Sequence, residues 1–329
     1  MNKRKTLTVF TPTYNRIKTI KRTYKSLCEQ TNTDVDWLII DDGSFDGCRN
    51  WVFSLGEIVD RDGTVFDWMG RPLCEKSENH FVVQAGFLRI EYIYKPNGGL
   101  YTGYNVAFSV IQSELCVCID SDDYLPSNAV EIITKKWQEL SVNQRQQIGG
   151  IAGLDYNVVD KSPIGGVFKI KSPIAFVQDM GHIGDCKFVF RTDAIRRFAP
   201  QIGFEGEKDF NPHFMQMQLF DEYPMLVINE NLCWVEYQYG NDSMSQAIFK
   251  QYLRSPKSFA KYRLQELALK RGNSFLKKIR LSAHYVSSCI FSKDRDWLKN
   301  SNSRILTIIS IPFGAFLCLY IKAKAISQY

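Results

Sequence analysis

The chain has 329 residues, 45% of them hydrophobic, which is enough for a large buried core and excludes an intrinsically disordered protein. Its net charge of +6 is unevenly distributed: residues 250–304 contain 14 Lys and Arg against 3 Asp and Glu, whereas residues 1–249 carry a net charge of −7. We therefore expect an acidic body, which suits a metal site, and a basic C-terminal region, which suits an anionic surface.

The nine cysteines form an odd number without the spacing of a disulfide scaffold, so we expect a reducing compartment. Neither the G-x-G-x-x-G pattern of dinucleotide-binding folds nor the G-x-x-x-x-G-K-[ST] pattern of P-loops occurs in the chain. These two classes of nucleotide site are therefore disfavoured.

The first half of the chain alternates short apolar runs with helical patterns, which is typical of a parallel sheet with helices on its faces. The runs predict strands over 6–11, 37–40, 89–94 and 115–119, with helices over 17–30 and 103–111. We interpret residues 56–80 as an insertion of irregular structure. Further along, we expect a strand over 187–191, a helix over 211–222 and paired strands over 224–229 and 232–237.

The C-terminal region is helical in pattern from Lys250 onward, with apolar residues between cations. It ends in a mostly apolar run, 305–321, that Pro312 and Gly314 interrupt. Crossing a bilayer takes roughly 20 apolar residues. An anchor lying in the membrane plane is therefore favoured over a spanning helix or a buried helix of a soluble protein.

Three carboxylates follow the predicted strand that ends at Ile119: Asp120, Asp122 and Asp123, with Ser121 between them. In an open α/β sheet, ligands bind at the carboxyl ends of the strands. Carboxylates this close repel one another, and a divalent cation with oxygen ligands relieves the repulsion. The alternative interpretation is a solvated turn or a helix cap.

Three further motifs are expected at the same rim of the sheet. They are T-P-T-Y-N-R (11–16) after the first strand, D-D-G-S (41–44) after the second, and N-G-G (97–99) before the helix that carries Asn105. The glycines of N-G-G leave room for a ligand to approach the backbone.

In this order, the motifs resemble those of the inverting nucleotide-sugar glycosyltransferases of family 2, which include bacterial polysaccharide-assembling enzymes; the resemblance covers about residues 6–245. It implies the GT-A fold, an α/β architecture with a mostly parallel, Rossmann-like central sheet flanked by helices. Residues 1–249 would form the catalytic domain, with a nucleotide-binding half (1–125) and an acceptor half (126–249). Residues 250–329 would form a basic helical extension that associates with the membrane.

The resemblance also implies site residues. Asp41 or Asp42 would accept a hydrogen bond from a uracil-type base, and Lys95 would add charge near the diphosphate or be an ordinary surface lysine. Asp122 would be the first metal ligand, with Asp123 beside it, for a Mn²⁺ or Mg²⁺ ion that neutralises the leaving nucleoside diphosphate. The full set of nucleotide-binding residues would be Thr11, Pro12, Tyr14, Asp41, Asp42, Lys95, Asn97, Gly98, Asp120 and Ser121.

Inversion needs one base that takes the proton of the acceptor hydroxyl. The resemblance points to Glu207 in the segment G-E-K, and Glu205 is the rival; the weaker candidates are Asp185, Asp221 and Glu222. Two residues depart from the family pattern. Tyr104 stands where many relatives carry a basic residue, and His213 follows Pro212 where relatives often carry an acidic one. His213 is either an acceptor-orienting or catalytic group, or a structural histidine.

The expected function is thus a hexosyltransferase that uses a nucleotide-sugar donor, with UDP-sugar preferred, and a glycan or lipid-linked glycan acceptor in cell-surface polysaccharide synthesis. We expect it at the cytoplasmic face of the inner (plasma) membrane, without a nucleic-acid partner, because membrane attachment accounts for both the cations and the apolar run. The alternatives are a non-catalytic relative that binds sugar nucleotides or glycans, and a nucleotidyltransferase. The latter is disfavoured because T-P-T-Y-N-R is not a glycine- and arginine-rich loop.

Overall fold

A computed structural model describes residues 4–60, 65–66, 72–74, 79–236 and 247–326, and the side chains of these residues outside 60–78. The strands among them are β1 (Leu7–Thr13), β2 (Val35–Asp41), β3 (Glu57–Asp60), β4 (Val65–Phe66), β5 (Pro72–Cys74), β6 (His80–Ala85), β7 (Leu88–Tyr94), β8 (Leu115–Cys118), β9 (Gly150–Asn157), β10 (Ile174–Ala175), β11 (Cys186–Arg191) and β12 (Met225–Val235).

The helices of the described residues alternate with these strands and then continue alone to the C-terminal region. They are α1 (Ile17–Cys28), α2 (Cys48–Phe53), α3 (Leu100–Val110), α4 (Ala129–Gln138), α5 (Val142–Gln147), α6 (Thr192–Arg196), α7 (His213–Glu222), α8 (Ile248–Arg254), α9 (Pro256–Ala268), α10 (Phe275–Ser292), α11 (Trp297–Asn300), α12 (Arg304–Ile309) and α13 (Ile311–Ile326).

Among the described residues, one large sheet has the strand order β10-β12-β9-β11-β8-β1-β2-β7-β6-β3. Its central strands β8, β1, β2 and β7 are parallel, and the antiparallel strands β11 and β6 lie on either side of them. Every residue of β1 is buried, as expected for a parallel strand that is covered on both faces. The Rossmann-like sheet that the sequence predicts is present at the centre, and antiparallel strands extend it on both sides.

Helix α1 illustrates how the sequence pattern selects the buried face. Ile20, Thr23 and Leu27 recur three or four residues apart and are buried, whereas Lys18 and Lys21 are exposed. This arrangement directs the buried side of α1 toward the sheet and brings the side chain of Thr23 to the turn that follows β8.

One predicted hairpin is wrong. Residues 224–229 and 232–237 do not form a pair of strands, because β12 runs through most of this segment and pairs in parallel with β9. The register shifts between Val227 and Asn231, so the residues between them form a bulge. Asn229 stabilises this bulge, since its side chain accepts a hydrogen bond from the backbone N–H of Phe168 (2.8 Å).

By compactness the chain divides into two units. The first unit comprises the described parts of Met1–Gly98, Thr102–Pro200 and Glu222–Tyr237, and it contains the sheet. The second comprises the described parts of Gly99–Tyr101, Gln201–Asp221 and Gln238–Tyr329. The segment from Gln201 to Asp221 therefore groups with the C-terminal helices.

Within the second unit, α13 packs along α10 through a stripe of mostly small residues. Gly314, Cys318, Ile321 and Ala325 are buried and recur three or four residues apart. A Cβ atom at Gly314 would lie 2.6 Å from the side chain of Val286, so only glycine allows this approach of the two helices. As for the membrane, no helix of the described residues is both long enough and apolar enough to span one.

Candidate functional site

The carboxyl ends of the central strands lie side by side. Thr13 at the end of β1 pairs with Asp41 at the end of β2, and the backbone N–H of Lys95 donates to the carbonyl of Asp41 (2.9 Å). On the other side of β1, the N–H of Ile119 donates to the carbonyl of Phe10 (3.1 Å). The motifs that follow these strands therefore share one rim of the sheet, as the sequence predicts.

Side chains tie the loop after β1 to the loop after β2. The backbone N–H of Asn15 donates to the hydroxyl of Ser44 (2.8 Å), and the side-chain oxygen of Asn15 accepts from the N–H of Phe45 (3.0 Å). Tyr14 is 47% exposed and Phe45 is 83% exposed, with their ring centroids 6.5 Å apart. The two rings are nearly perpendicular (81°), so a flat heterocycle can stack on one of them with the other ring edge-on to it.

The charges of the two aspartates at the end of β2 are compensated by neighbouring groups of the protein. Asp41 accepts a hydrogen bond from the hydroxyl of Tyr92 (2.6 Å). Asp42 forms an ion pair with Lys95 and accepts from the backbone N–H of Gly98 (2.9 Å), with both charged side chains buried. These carboxylates hold the rim together, and Lys95 is not a surface lysine. We call Asp41, Asp42 and Lys95 the paired cluster.

The glycine of D-D-G-S is required by the turn that it forms. Gly43 has a φ of 91°, and a Cβ atom there would lie 3.0 Å from the backbone nitrogen of Asn97. The side-chain amide of Asn97 in turn donates to the carbonyl of Asp42 (2.9 Å). The predicted motifs D-D-G-S and N-G-G are therefore in direct contact.

The acidic turn after β8 is held through its backbone. The hydroxyl of Thr23 donates to the carbonyl of Asp123 (2.8 Å), and the guanidinium of Arg22 donates to the carbonyl of Asp122 (3.2 Å). Asp120 is exposed, Asp122 half-buried and Asp123 buried. Burial, followed by the charge of Asp120, raises the pKa of Asp122. Burial also raises the pKa of Asp123 to about 8, and the charges of Asp120 and Asp122 add to the rise.

A buried lysine lies beside this turn. Lys187 on β11 is 3.6 Å from the carboxylate of Asp155 on β9, and its charge opposes the rise in the pKa of Asp123. Burial raises the pKa of Asp155 to about 6 in spite of the attraction of Lys187. One buried ammonium thus faces several carboxylates in this part of the described chain. We call the group the crowded cluster: Asp120, Asp122, Asp123, Asp155 and Lys187.

The crowded cluster is also the place to test for a metal site. Within the described residues, no group of three or more His, Cys, Asp or Glu side chains is arranged to hold a metal ion. Asp120 and Asp122 fit an ion that is shared with a substrate, because Mg²⁺ is commonly bound by one or two carboxylates together with substrate phosphates. The raised pKa of Asp122 marks a carboxylate whose ionised form a nearby cation would stabilise.

The two base candidates lie in the second compact unit. The carboxylate oxygens of Glu207 accept the backbone N–H groups of Lys257 (3.0 Å) and Ser258 (2.7 Å) in the first turn of α9. Glu207 is buried and caps this helix, where the helix dipole favours a negative charge. Glu205 is exposed.

Other predicted nucleotide-binding residues support the rim from inside. Thr11 is fully buried, and its hydroxyl accepts a hydrogen bond from the indole N–H of Trp37 (3.0 Å), so Thr11 presents no surface to a ligand. Pro12 packs against α3, where a Cβ atom at Gly103 would lie 3.2 Å from its ring. Ser121 is also buried.

The two departures from the family pattern are packing residues in the structure. Tyr104 is buried with its ring edge-on to that of Phe10 (centroids 5.1 Å apart). His213 lies against the rings of Phe220 and Tyr262, and burial lowers its pKa. Aromatic contacts therefore account for both residues.

Three residues of the site were missed in the sequence. Phe45 follows D-D-G-S directly, and an apolar ring beside a polar turn is a signal that could have identified it. Lys187 is a cation between apolar residues of a strand, which is also a recognisable signal. Asp155 carried no such signal, because β9 was not predicted. Of the predicted acceptor half (126–249), residues 237–246 lie outside the described residues.

Relatives in sequence cover part of the chain. Chondroitin synthase from Pasteurella multocida (strain Pm70) and hyaluronan synthase from Pasteurella multocida are each 27% identical to it over 131 residues. The match covers 40% of this chain and 11% of each relative, so it spans about a tenth of the relatives' length.

Solved structures match nearly the whole chain. The crystal structure of S. aureus TarS superimposes with a TM-score of 0.57 at 15% identity, covering 98% of this chain and 54% of TarS. A complex of TarS 1-349 with UDP-GlcNAc gives a TM-score of 0.53 at 16% identity, with 98% of this chain and 89% of that one covered. At these identities the likeness shows the fold alone, and the predicted GT-A architecture is confirmed.

The family model of glycosyl transferase family 2 matches residues 8–65 and 77–194, more than half of the chain. These residues include β1 from its second residue, the strands β2, β7 and β8, and the loops that follow these strands. The protein belongs to glycosyl transferase family 2.

Proposed function

We propose that this glycosyltransferase transfers a hexosyl group from a UDP-sugar to an acceptor hydroxyl, with inversion at the sugar and with the help of Mn²⁺ or Mg²⁺. One observation carries the proposal: the paired and crowded clusters lie on the same rim of the sheet. The first cluster orders the loops that would hold a nucleoside. The second concentrates negative charge where a cation and a diphosphate would bind.

The donor part of the proposal rests on the aromatic surface of the rim. The rings of Tyr14 and Phe45 would pack against the uracil ring, and Asp42 is the better candidate to accept its N–H because Asp41 is the more deeply buried of the two, at 1% against 6% exposure. A protein of the same fold has been crystallised with UDP and with UDP-GlcNAc, which supports the choice of nucleotide.

The metal part rests on the acidic turn. Asp122 and Asp120 would hold the ion, with Asp123 in support, and the ion would supply positive charge to the leaving diphosphate. The hydrogen bonds from Arg22 and Thr23 fix the backbone of this turn, so the carboxylates are positioned before the donor arrives.

Inverting transfer also needs a base. The acceptor oxygen would attack the anomeric carbon as the bond to the diphosphate breaks, and the base would take the hydroxyl proton. Glu207 is the first candidate because two backbone N–H groups fix its orientation, while its oxygens keep further lone pairs. Glu205 remains the rival. Chondroitin and hyaluronan synthases among the relatives support a glycan or lipid-linked glycan acceptor and a role in polysaccharide synthesis.

A non-catalytic sugar-nucleotide-binding protein is the second candidate function, and one observation favours it: capping α9 is a sufficient structural role for Glu207. Calorimetric titration of the full chain with UDP, GDP, CMP and dTDP, with and without Mn²⁺, tests the donor and the metal together. We expect UDP to bind tightest and to require the metal. Equal, metal-independent affinity for all four nucleotides would contradict the proposal. UDP binding without hydrolysis or transfer of any UDP-hexose would favour the binding protein.

A further inference from the structure

The last two helices expose large apolar side chains and bury small ones. Besides Ile326 at the C-terminal end of α13, six such residues on α12 and α13 are between 50% and 75% exposed. We call them the apolar ridge: Ile305, Ile308, Ile309, Phe313, Phe316 and Leu319. Soluble surfaces rarely keep so many large apolar side chains together, and an exposed patch of this kind marks a binding surface.

The ridge has a defined direction within the second unit. The buried stripe of α13 faces α10, and the close contact at Gly314 fixes that side of the helix. With about 100° of rotation per residue, Phe316 and Leu319 lie on the side opposite the stripe. The packing of α13 on α10 therefore keeps Phe316 and Leu319, which belong to the α13 part of the ridge, turned away from α10.

The charges around the apolar ridge indicate what kind of surface it binds. From Trp297 to Tyr329 the chain contains no Asp or Glu, and its cations are Lys299, Arg304, Lys322 and Lys324. Lys322 and Lys324 are both exposed, and two residues on a helix are separated by about 200°, so these lysines lie on opposite flanks of the ridge. An apolar strip with a lysine on each flank matches the boundary between acyl chains and anionic headgroups.

The side chains of Lys322 and Lys324 lie along neighbouring aromatic rings. The Nζ atom of Lys322 lies 5.8 Å from the ring centroid of Phe291, and that of Lys324 lies 5.9 Å from the ring centroid of Tyr320. Their stems thus run along apolar surface while both side chains are exposed, which is typical of lysines at a membrane interface.

We propose that the apolar ridge inserts into the headgroup region of an anionic bilayer, with α12 and α13 lying in the membrane plane and the flanking cations on lipid phosphates. The cytoplasmic leaflet of the plasma membrane has the required negative surface potential. This proposal does not depend on the transferase chemistry, so the two can fail separately.

Co-sedimentation of the full chain with vesicles tests the proposal. The vesicles are phosphatidylcholine alone or phosphatidylcholine with phosphatidylglycerol. The variant Phe316→Ser/Leu319→Ser should lower the partition coefficient on the anionic vesicles at least about tenfold, because it removes two large apolar side chains from the inserted face. The matched control is Val159→Ser/Ile183→Ser, at residues that are 86% and 88% exposed in the first unit, and it should bind as the unchanged protein does.

Charge is tested separately with Arg304→Gln/Lys322→Gln. This variant should lose affinity for the anionic vesicles only, and added salt should weaken the unchanged protein in the same way. Point substitutions are preferable to deletion of the helices, since deletion would also expose the face of α10 around Val286.

Two results would overturn the proposal. In the first, the Phe316→Ser/Leu319→Ser variant is folded by circular dichroism and still binds anionic vesicles as the unchanged protein does. In the second, sedimentation velocity without lipid shows a dimer that this variant dissociates, while vesicle binding stays the same. The ridge would then be an interface between two copies of the chain.

Discussion

The paired and crowded clusters both place carboxylates on the same rim, but the surroundings of these carboxylates compensate their charges to different degrees. Asp41 and Asp42 are buried beside Tyr92, Lys95 and backbone N–H groups, and these contacts compensate their charge. In the crowded cluster, burial and neighbouring carboxylates raise the pKa values of Asp122 and Asp123. In the paired cluster the carboxylate charges are compensated before any ligand binds, whereas in the crowded cluster an added cation would favour the ionised carboxylates.

In the second unit, the charge of a third kind of carboxylate is compensated by the N-terminus of a helix. Glu207 lies at the N-terminus of α9, and its oxygens accept two backbone N–H groups. A strong compensation of this kind is expected of a structural residue. The position of a carboxylate at a rim or in a motif therefore does not by itself separate ligand-binding residues from structural ones, and its local partners have to be examined.

The largest effect should come from the crowded cluster. Asp122→Asn should lower kcat/KM for a UDP-sugar about 10³-fold, since a shared cation supplies several kcal/mol of charge stabilisation in the transition state. Stability should stay equal or rise, because the substitution removes a carboxylate whose ionised form is disfavoured in the fold. Steady-state kinetics and thermal melting measure the two effects. Asp160→Asn, at an exposed turn, is the control. Activity within tenfold of the unchanged enzyme would exclude Asp122 as a ligand.

The paired cluster should respond in the opposite way, through stability. Lys95→Met leaves the charge of Asp42 buried without its ammonium partner, which should lower the free energy of unfolding by about 3 kcal/mol. Adding Asp42→Asn should restore most of the loss. Urea denaturation of the single and double variants gives the coupling energy between the two residues. The exposed Lys18→Met is the control. If the single variant loses less than about 1 kcal/mol, the pair is not the buried ion pair that we describe.

The rim could be predicted from the sequence because it depends on local pattern. Apolar runs that end in Asp, Asn or Gly identify strands and the loops after them, and parallel strands bring their carboxyl ends to one edge. The partners of each carboxylate could not be predicted in this way. Lys95 was expected at the diphosphate or on the surface, and its pairing with Asp42 depends on the register of β2 and β7.

Two further features show where sequence pattern is insufficient. Residues 224–229 and 232–237 were predicted as paired strands, but β12 is one strand with a bulge, because β9 supplies partners on both sides of the bulge. Likewise, the run 305–321 is apolar on every side, so the pattern does not say which side is exposed. Packing against α10 selects the small residues for burial and leaves Phe316 and Leu319 exposed.

In the second unit, the half-buried histidine His284 should make the stability of the protein depend on pH. Burial, followed by the charges of Arg263 and Arg280, lowers the pKa of His284 to about 4. As the pH falls below 6.5, the unfolded chain takes up the proton first, so the stability contributed by neutral His284 is complete above pH 6.5 and is lost toward pH 4. Between pH 7 and pH 5 this loss should be about 2 kcal/mol.

The measurement is the free energy of unfolding at the two pH values for the unchanged protein and for His284→Phe. The variant should lose about 2 kcal/mol less than the unchanged protein between pH 7 and pH 5. An equal pH dependence in the His284 variant and the unchanged protein would show that this histidine is not held neutral by its surroundings.

The smallest change in stability is expected for a variant of Glu207, whose charge the N-terminus of α9 compensates. Glu207→Gln should lower the free energy of unfolding by about 1 kcal/mol, because an amide accepts only one of the two N–H bonds and carries no charge for the dipole of α9. Glu205→Gln, at an exposed residue, should change stability by less than about 0.5 kcal/mol.

Kinetics of the same two variants then separate a capping role of Glu207 from a catalytic one. A cap alone predicts that Glu207→Gln keeps its kcat at temperatures where it is folded, whereas a base predicts a loss of about 10²-fold or more at those temperatures. If instead Glu205→Gln has the larger loss in kcat with unchanged stability, Glu207 is a structural residue and the base is Glu205.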